Sequence, residues 1–193
     1  MIARRQQGMS LIELLVVVSI LGILAAIGIP SFQHWVRNAR IRTAAESIQN
    51  GLRQARTEAS QRGTNVRFEM LSTGGADWQI CVLNSAANCT AAGAAALQTY
   101  TPGATNNIVK INVATTIGDL TTQLGGGVPA NSGITYNSMG RPIAYGTTDI
   151  ARVDASSNVA GDEWLITTIS AGGMVHMCDP NQKLNGTALG CSP

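Results

Sequence analysis

The chain has 193 residues, enough for one domain and an appendage. With 45% apolar and 12% charged residues it is not a disordered composition, and a formal net charge of +2 points to no class of partner. The opening segment, MIARRQQGMSLIELLVVVSILGILAAIGIP, carries Arg4 and Arg5 and then an uncharged run from Leu14 to Ile29. Those sixteen residues fall short of the roughly 20 that cross a bilayer. Counting back to Met9 supplies the length but takes in Glu13. Three ordinary readings each leave something over. A conventional signal peptide needs a small-residue cleavage site, and Ala26-Ile27-Gly28 matches one poorly. A twin-arginine signal is suggested by Arg4-Arg5 but not by Gln6-Gln7-Gly8. A plain anchor explains the apolar run and leaves Glu13, a carboxylate that costs about 2.5–3.5 kcal/mol in hydrocarbon, without a purpose.

The stretch Gly8-Met9-Ser10-Leu11-Ile12-Glu13 resembles the class III signal of type IV prepilins. The resemblance implies that a prepilin peptidase cuts after Gly8 and methylates the new terminus at Met9. From that cut Glu13 is the fifth mature residue and Pro30 the twenty-second, positions where the family carries a glutamate and often a proline. The departure is Met9, where the family usually begins with Phe. The resemblance implies a single-pass protein of the bacterial inner membrane with a periplasmic C-terminal domain, incorporated into a pilus or pseudopilus. The implied partners are other pilins, the prepilin peptidase and the inner membrane. Glu13 is then expected to pair with the terminal amine of a neighbouring subunit, because an unpaired buried carboxylate is costly. The competing reading hydrates Glu13 in the headgroup layer. Losing the leader removes two of thirteen bases, which leaves eleven against eleven acids.

Beyond Pro30, Ile41, Ala44, Ala45, Ile48, Leu52, Ala55 and Ala59 recur at three- and four-residue steps, the stripe of an amphipathic helix. Gly63 is its expected terminator. A continuous helix from Met9 to Arg62 would measure roughly 80 Å. Pro30 either loosens that helix or starts a second one. From Arg37 to Arg62 six arginines meet two glutamates, a net of +4, so the face reads as a solvated one or as a contact with lipid, acidic neighbours or DNA. Trp35 lies where an interfacial aromatic belongs, or in a core.

After Gly63 the period changes. Strands are expected at Thr64–Leu71, Asp77–Leu83, Ile108–Ile117, Ile134–Asn137, Glu163–Ser170 and Met174–Cys178. Glycine turns are expected at Gly74-Gly75, Gly125-Gly126-Gly127 and Gly161-Asp162. Ala91–Ala96 reads as a surface loop, and Trp78 and Trp164 as core residues. The expected fold is α+β: a long N-terminal helix, membrane-anchoring in its first half and amphipathic in its second, packed on a C-terminal antiparallel β-sheet domain. Its boundaries are a leader at 1–8, a membrane and polymerisation helix at 9–30, an amphipathic helix at 31–63 and a β-rich domain at 64–193. Ala55-Arg56-Thr57-Glu58-Ala59 with Arg62-Gly63-Thr64-Asn65-Val66 resembles the GspH/FimT branch of minor pilins and pseudopilins. Ile169 to Cys178 resembles the branch's closing hairpin, except that Gly173 stands where the branch often has arginine.

The four cysteines allow three connectivities, and in an exported chain the local pairs Cys81–Cys89 and Cys178–Cys191 are favoured. Neither pair has zinc-ligand spacing, and His34 and His176 form no ligand cluster, so no metal or cofactor is expected. No nucleophile, zincin or phosphate-loop motif is found, and adjacent Asp162-Glu163 make a poor acid/base dyad, so the chain does not read as an enzyme. The commitment is a minor pilin acting in pilus assembly or initiation, with a type II secretion pseudopilin of the H type as alternative. A DNA-binding subunit for natural transformation is the third reading. By resemblance it would use a Gly-Arg-x-Arg segment, and Gly140-Arg141-Pro142-Ile143 keeps only Arg141. The part from Thr64 on carries five basic and eight acidic side chains, which disfavours phosphate binding.

Overall fold

A computed structural model describes residues 9–71, 74–102, 108–183 and 189–192. The expected leader, including Gly8, lies outside the described residues. The chain divides into two compact units, Met1–Val36 and Arg37–Pro193. One helix, α1 (Leu11–Arg62), enters both and runs through Pro30 without a break in assignment. Pro30 therefore does not open a second helix. Lacking an N–H, it leaves one carbonyl of the preceding turn without its helical donor.

In the first unit every described residue up to Trp35 is exposed. The apolar run of α1 is long and apolar enough to cross a membrane. Phe32 and Trp35 are both exposed, their ring centroids 6.0 Å apart. Trp35 is thus outside the core.

In the second unit the helical stripe is buried: Ile41, Ala44, Ala45, Ile48, Leu52, Ala55 and Ala59, with Gly51 between them. The helix stops at Gly63, whose φ of +64° suits glycine, and the Thr64 N–H donates to Ala59 O at 3.3 Å. That bond spans the Schellman interval.

Among the described residues nine strands follow, in two sheets. The first has the order β3-β2-β1-β5, all antiparallel, from β1 (Val66–Met70), β2 (Trp78–Leu83), β3 (Ala94–Tyr100) and β5 (Gly133–Tyr136). The second has the order β4-β6-β7-β8-β9, from β4 (Val109–Ala114), β6 (Arg152–Ser157), β7 (Leu165–Ile169), β8 (Val175–Lys183) and β9 (Gly190–Ser192). Its pairs are antiparallel except β8–β9, which is parallel. The α+β class holds, with this one parallel pair added to the antiparallel plan. Three strands go beyond the expected six. Ala94–Tyr100 is an edge strand with half-exposed side chains, so part of the expected Ala91–Ala96 loop is β structure. β6 and β9 had no sequence counterpart.

The core lies where α1 meets the sheets. Phe68 and Trp78 pack with centroids 5.5 Å apart, and Trp78 stacks on Tyr100 at 5.4 Å. Gly51 is required there, because a Cβ would sit 2.8 Å from Phe68 Cε2 and 3.0 Å from Trp78. Trp78 is buried as expected. Trp164 is only half-buried, since it precedes β7 and lines a surface groove with Asp162 and Asn181.

Candidate functional site

Four places carry the chemistry anticipated above. The first is the start of α1. Ser10 caps it: the Glu13 N–H donates to Ser10 Oγ at 3.3 Å and the Leu14 N–H to Ser10 O at 3.2 Å. Glu13 lies in the first turn, where the helix dipole favours a negative charge, and it is exposed, as is Met9. Ser10 escaped the sequence reading, although Ser-x-x-Glu is the capping-box spacing. Pro30 lies within α1, 17 residues after Glu13.

The second is the cysteines. Cys81–Cys89 and Cys178–Cys191 are both disulfide-bonded. The first holds Cys89 over the buried Glu69, whose Oε2 accepts the Cys89 N–H at 3.1 Å and Arg67 Nε at 2.8 Å. Arg67 also donates to Thr135 Oγ1 and Asn131 O, so β1, β5 and the cysteine loop meet at one guanidinium. Asp149, next to this network, accepts the N–H groups of Thr135 and Ala144. Burial pushes its carboxyl above the ordinary value, while those N–H donors pull the other way. The second disulfide holds β9 beside β8, where the Asp179 N–H donates to Leu189 O at 2.6 Å.

The third is the arginines. Arg37 binds both oxygens of Asp162, at 2.7 and 3.2 Å, and Ser157 Oγ donates to the same carboxylate. This carboxylate was expected to mark a polar turn; it sits at the Gly161 turn and clamps the helix. The partners are 125 residues apart, so no local pattern could join them. Arg62 pairs with Glu58 one turn back. Arg56 donates to Gly140 O at 3.1 Å and to Met174 Sδ at 3.2 Å. Arg141, the candidate DNA contact, is exposed, and Ile143 beside it is exposed as well. Arg152 is buried, and Asp154 receives it at 2.7 and 2.8 Å. Its remaining donors reach the carbonyls of Ile117, Asp119 and Thr122, and the Leu124 N–H donates to Asp154 Oδ2. All five N–H groups of Arg152 are used, and they tie the loop after β4 to β6.

The fourth is the residues considered for catalysis or metal binding. His176 sits on β8 opposite Thr168, whose Oγ1 donates to its carbonyl. Among the described residues no group of three or more His, Cys, Asp or Glu side chains is placed to hold a metal.

A family profile described as "Prokaryotic N-terminal methylation motif" matches residues 3–29. A second, described as "Type II transport protein GspH", matches residues 44–173. The chain is 38% identical over 58 residues to a fimbrial protein of Moraxella nonliquefaciens, covering 30% of this chain and 37% of that one. It is 51% identical over 37 residues to the prepilin peptidase-dependent protein D of Escherichia coli, covering 19% and 25%. These curated relatives are thus matched over little more than a third of their length at most. A crystal structure of the type IV minor pilin FimU of Pseudomonas aeruginosa is similar in fold, with TM-score 0.53 and 16% identity over 77% of this chain and 95% of that one. The minor pseudopilin EpsH of Vibrio cholerae gives TM-score 0.45 at 14% identity over 73% and 98%. Pilins and pseudopilins are structural subunits, not enzymes. With two thirds of its length inside one profile and the methylation motif ahead of it, the chain belongs to the GspH family, the GspH/FimT branch of type IV pilin-like minor pilins and pseudopilins.

Proposed function

We propose that this chain is a minor subunit of a type IV pilus, cut after Gly8 by prepilin peptidase, and that it helps to initiate filament assembly. In this reading residues 9–30 anchor it once in the inner membrane and the β-rich part lies in the periplasm. The observation that carries the proposal is a single register. From a cut after Gly8, an exposed Glu13 falls in the first turn of α1, and Pro30 falls at the end of the apolar run. A new ammonium at Met9 and a carboxylate one turn along give each subunit both halves of an intersubunit ion pair. A carboxylate in hydrocarbon costs about 2.5–3.5 kcal/mol when unpaired, so the pair favours subunits in register. Mass spectrometry of the membrane form should show a chain beginning at N-methylated Met9. A chain beginning at Met1 or Ile29 overturns the proposal.

A second reading is a pseudopilin of type II secretion, favoured by the description of the profile that matches residues 44–173. Deletion separates the two: loss of surface pili supports the first, and loss of exported enzymes from the medium with pili intact supports the second.

A further inference from the structure

Lys110 on β4, Ser156 on β6 and Trp164 just before β7 form one row across the second sheet. The registers place them so: Lys110 faces Ser156, and Ala155 faces Leu165, so Ser156 meets Trp164 one step further on. Alternate residues of a strand share a face, which puts Asn112 and Asp154 on the same side as this row. That side is turned away from the core, to which these strands give Val109, Ile111, Val153, Ala155 and Leu165. The segment after β4 crosses it. The Leu124 N–H donates to Asp154 Oδ2 and the Gly127 N–H to Asn112 Oδ1, both at 2.8 Å.

Two open hollows adjoin this crossing. One, of about 830 Å³, passes Lys110 and Asn112 and the glycines at 125–127. The other, of about 670 Å³, passes Asp162, Trp164 and Asn181. Gln123 and residues 156–158 line both, so the hollows join into one groove. Each has the size of a ligand site, roughly 300–1,000 Å³. The lining holds unspent hydrogen-bonding groups. Ser156 is only 3% exposed, yet its hydroxyl bonds to none of the described residues. The Trp164 indole N–H and the side-chain amides of Gln123 and Asn158 likewise bond to none of them. A hydroxyl so far withdrawn from solvent favours a partner that enters the groove.

The charged groups of the lining are one lysine, Lys110, and three carboxylates, Asp77, Asp162 and Glu163, a balance that disfavours phosphate. An added peptide strand finds the edge of β4 taken, because the Ile111 N–H donates to Gly74 O at 3.0 Å and the Val113 N–H to Gly127 O at 3.2 Å. An aromatic face beside amides and hydroxyls suits a sugar. Its C–H groups stack on the negative face of the ring, and its hydroxyls bond to the side chains around it. We infer that this groove binds a neutral carbohydrate chain, one unit on Trp164 and the next along Ser156 and Gln123. The inference goes beyond the filament reading and does not depend on it.

The test uses the disulfide-bonded full chain in a detergent without a sugar headgroup. The probes are four neutral tetrasaccharides: cellotetraose, chitotetraose, maltotetraose and mannotetraose. At least one should shift the tryptophan emission saturably. Trp164→Ala should abolish the shift, and Trp35→Phe, which does not line the groove, should keep it. Gln123→Ala and Asn158→Ala change exposed side chains and keep the test open if Trp164→Ala does not fold. Each should weaken binding about three- to tenfold, the worth of one hydrogen bond. No shift with any probe, or a shift that survives Trp164→Ala and Gln123→Ala unchanged, overturns the inference. A response to inorganic phosphate or heparin alone, lost in Lys110→Ala, overturns it in favour of an anion. None of these outcomes bears on the cut after Gly8, which is read from the mass of the chain.

Discussion

Tyr136 is fully buried and its hydroxyl has no hydrogen-bond partner among the described residues. Burial raises its phenol above the ordinary value of 10.0. The unfolded chain therefore releases this proton first, and the stability present below about pH 10 is lost as pH rises above it. Tyr136→Phe removes both defects. In detergent it should gain about 1 kcal/mol near neutrality, and its advantage should widen from about pH 9 to 11, as read from denaturant midpoints at each pH. An equal gap at all pH values would separate the hydroxyl from the alkaline loss. Gly51 makes the opposite case. Alanine is worth about 1 kcal/mol more than glycine in a helix interior. Here its Cβ meets Phe68 and Trp78 at 2.8–3.0 Å, and overpacking costs about 1–3 kcal/mol. Gly51→Ala should lower the melting temperature despite its better helix propensity.

At the level of elements, what the sequence disclosed follows from which side chains carry the pattern. The stripe from Ile41 to Ala59 was legible because one face of a helix packs on a sheet and the other meets water. β1 and β2 were legible through Phe68, Trp78 and Ile80. β6 was not: Arg-Val-Asp-Ala-Ser-Ser looks like a loop, yet its first five residues are buried. Arg152 and Asp154 satisfy each other two residues apart on one face, which permits a polar strand inside. β3 was hidden by alanines, which are poor strand formers and survive at an edge paired on one side. β9 has three residues and depends on a crosslink. Replacing Cys178 and Cys191 by serine should cost about 3 kcal/mol in the chain-entropy picture. The Asp179 amide, bonded to Leu189 O, should then exchange much faster. An unchanged exchange rate would show that β8 and β9 hold without the bond.

For the molecule as a whole, the apolar run of α1 was open to sequence reading because it depends on local spacing. The contacts of Arg56 and the Arg37–Asp162 clamp were not, because their members lie 84 to 125 residues apart. Assembly is a property at this scale. On the proposed reading, Glu13→Ala should leave a cut after Gly8 unchanged and should deplete the chain from purified filaments by about tenfold or more, measured against its membrane level. Undiminished entry would remove the role given to the carboxylate.

The Arg152 knot has a consequence for the waters the protein meets. Its guanidinium and carboxylate are shut away from solvent ions, whereas Arg62 and Glu58 stand in them. Counterions weaken the second pair and barely touch the first. From fresh water to brine, the loop between Ile117 and Leu124 should keep one shape.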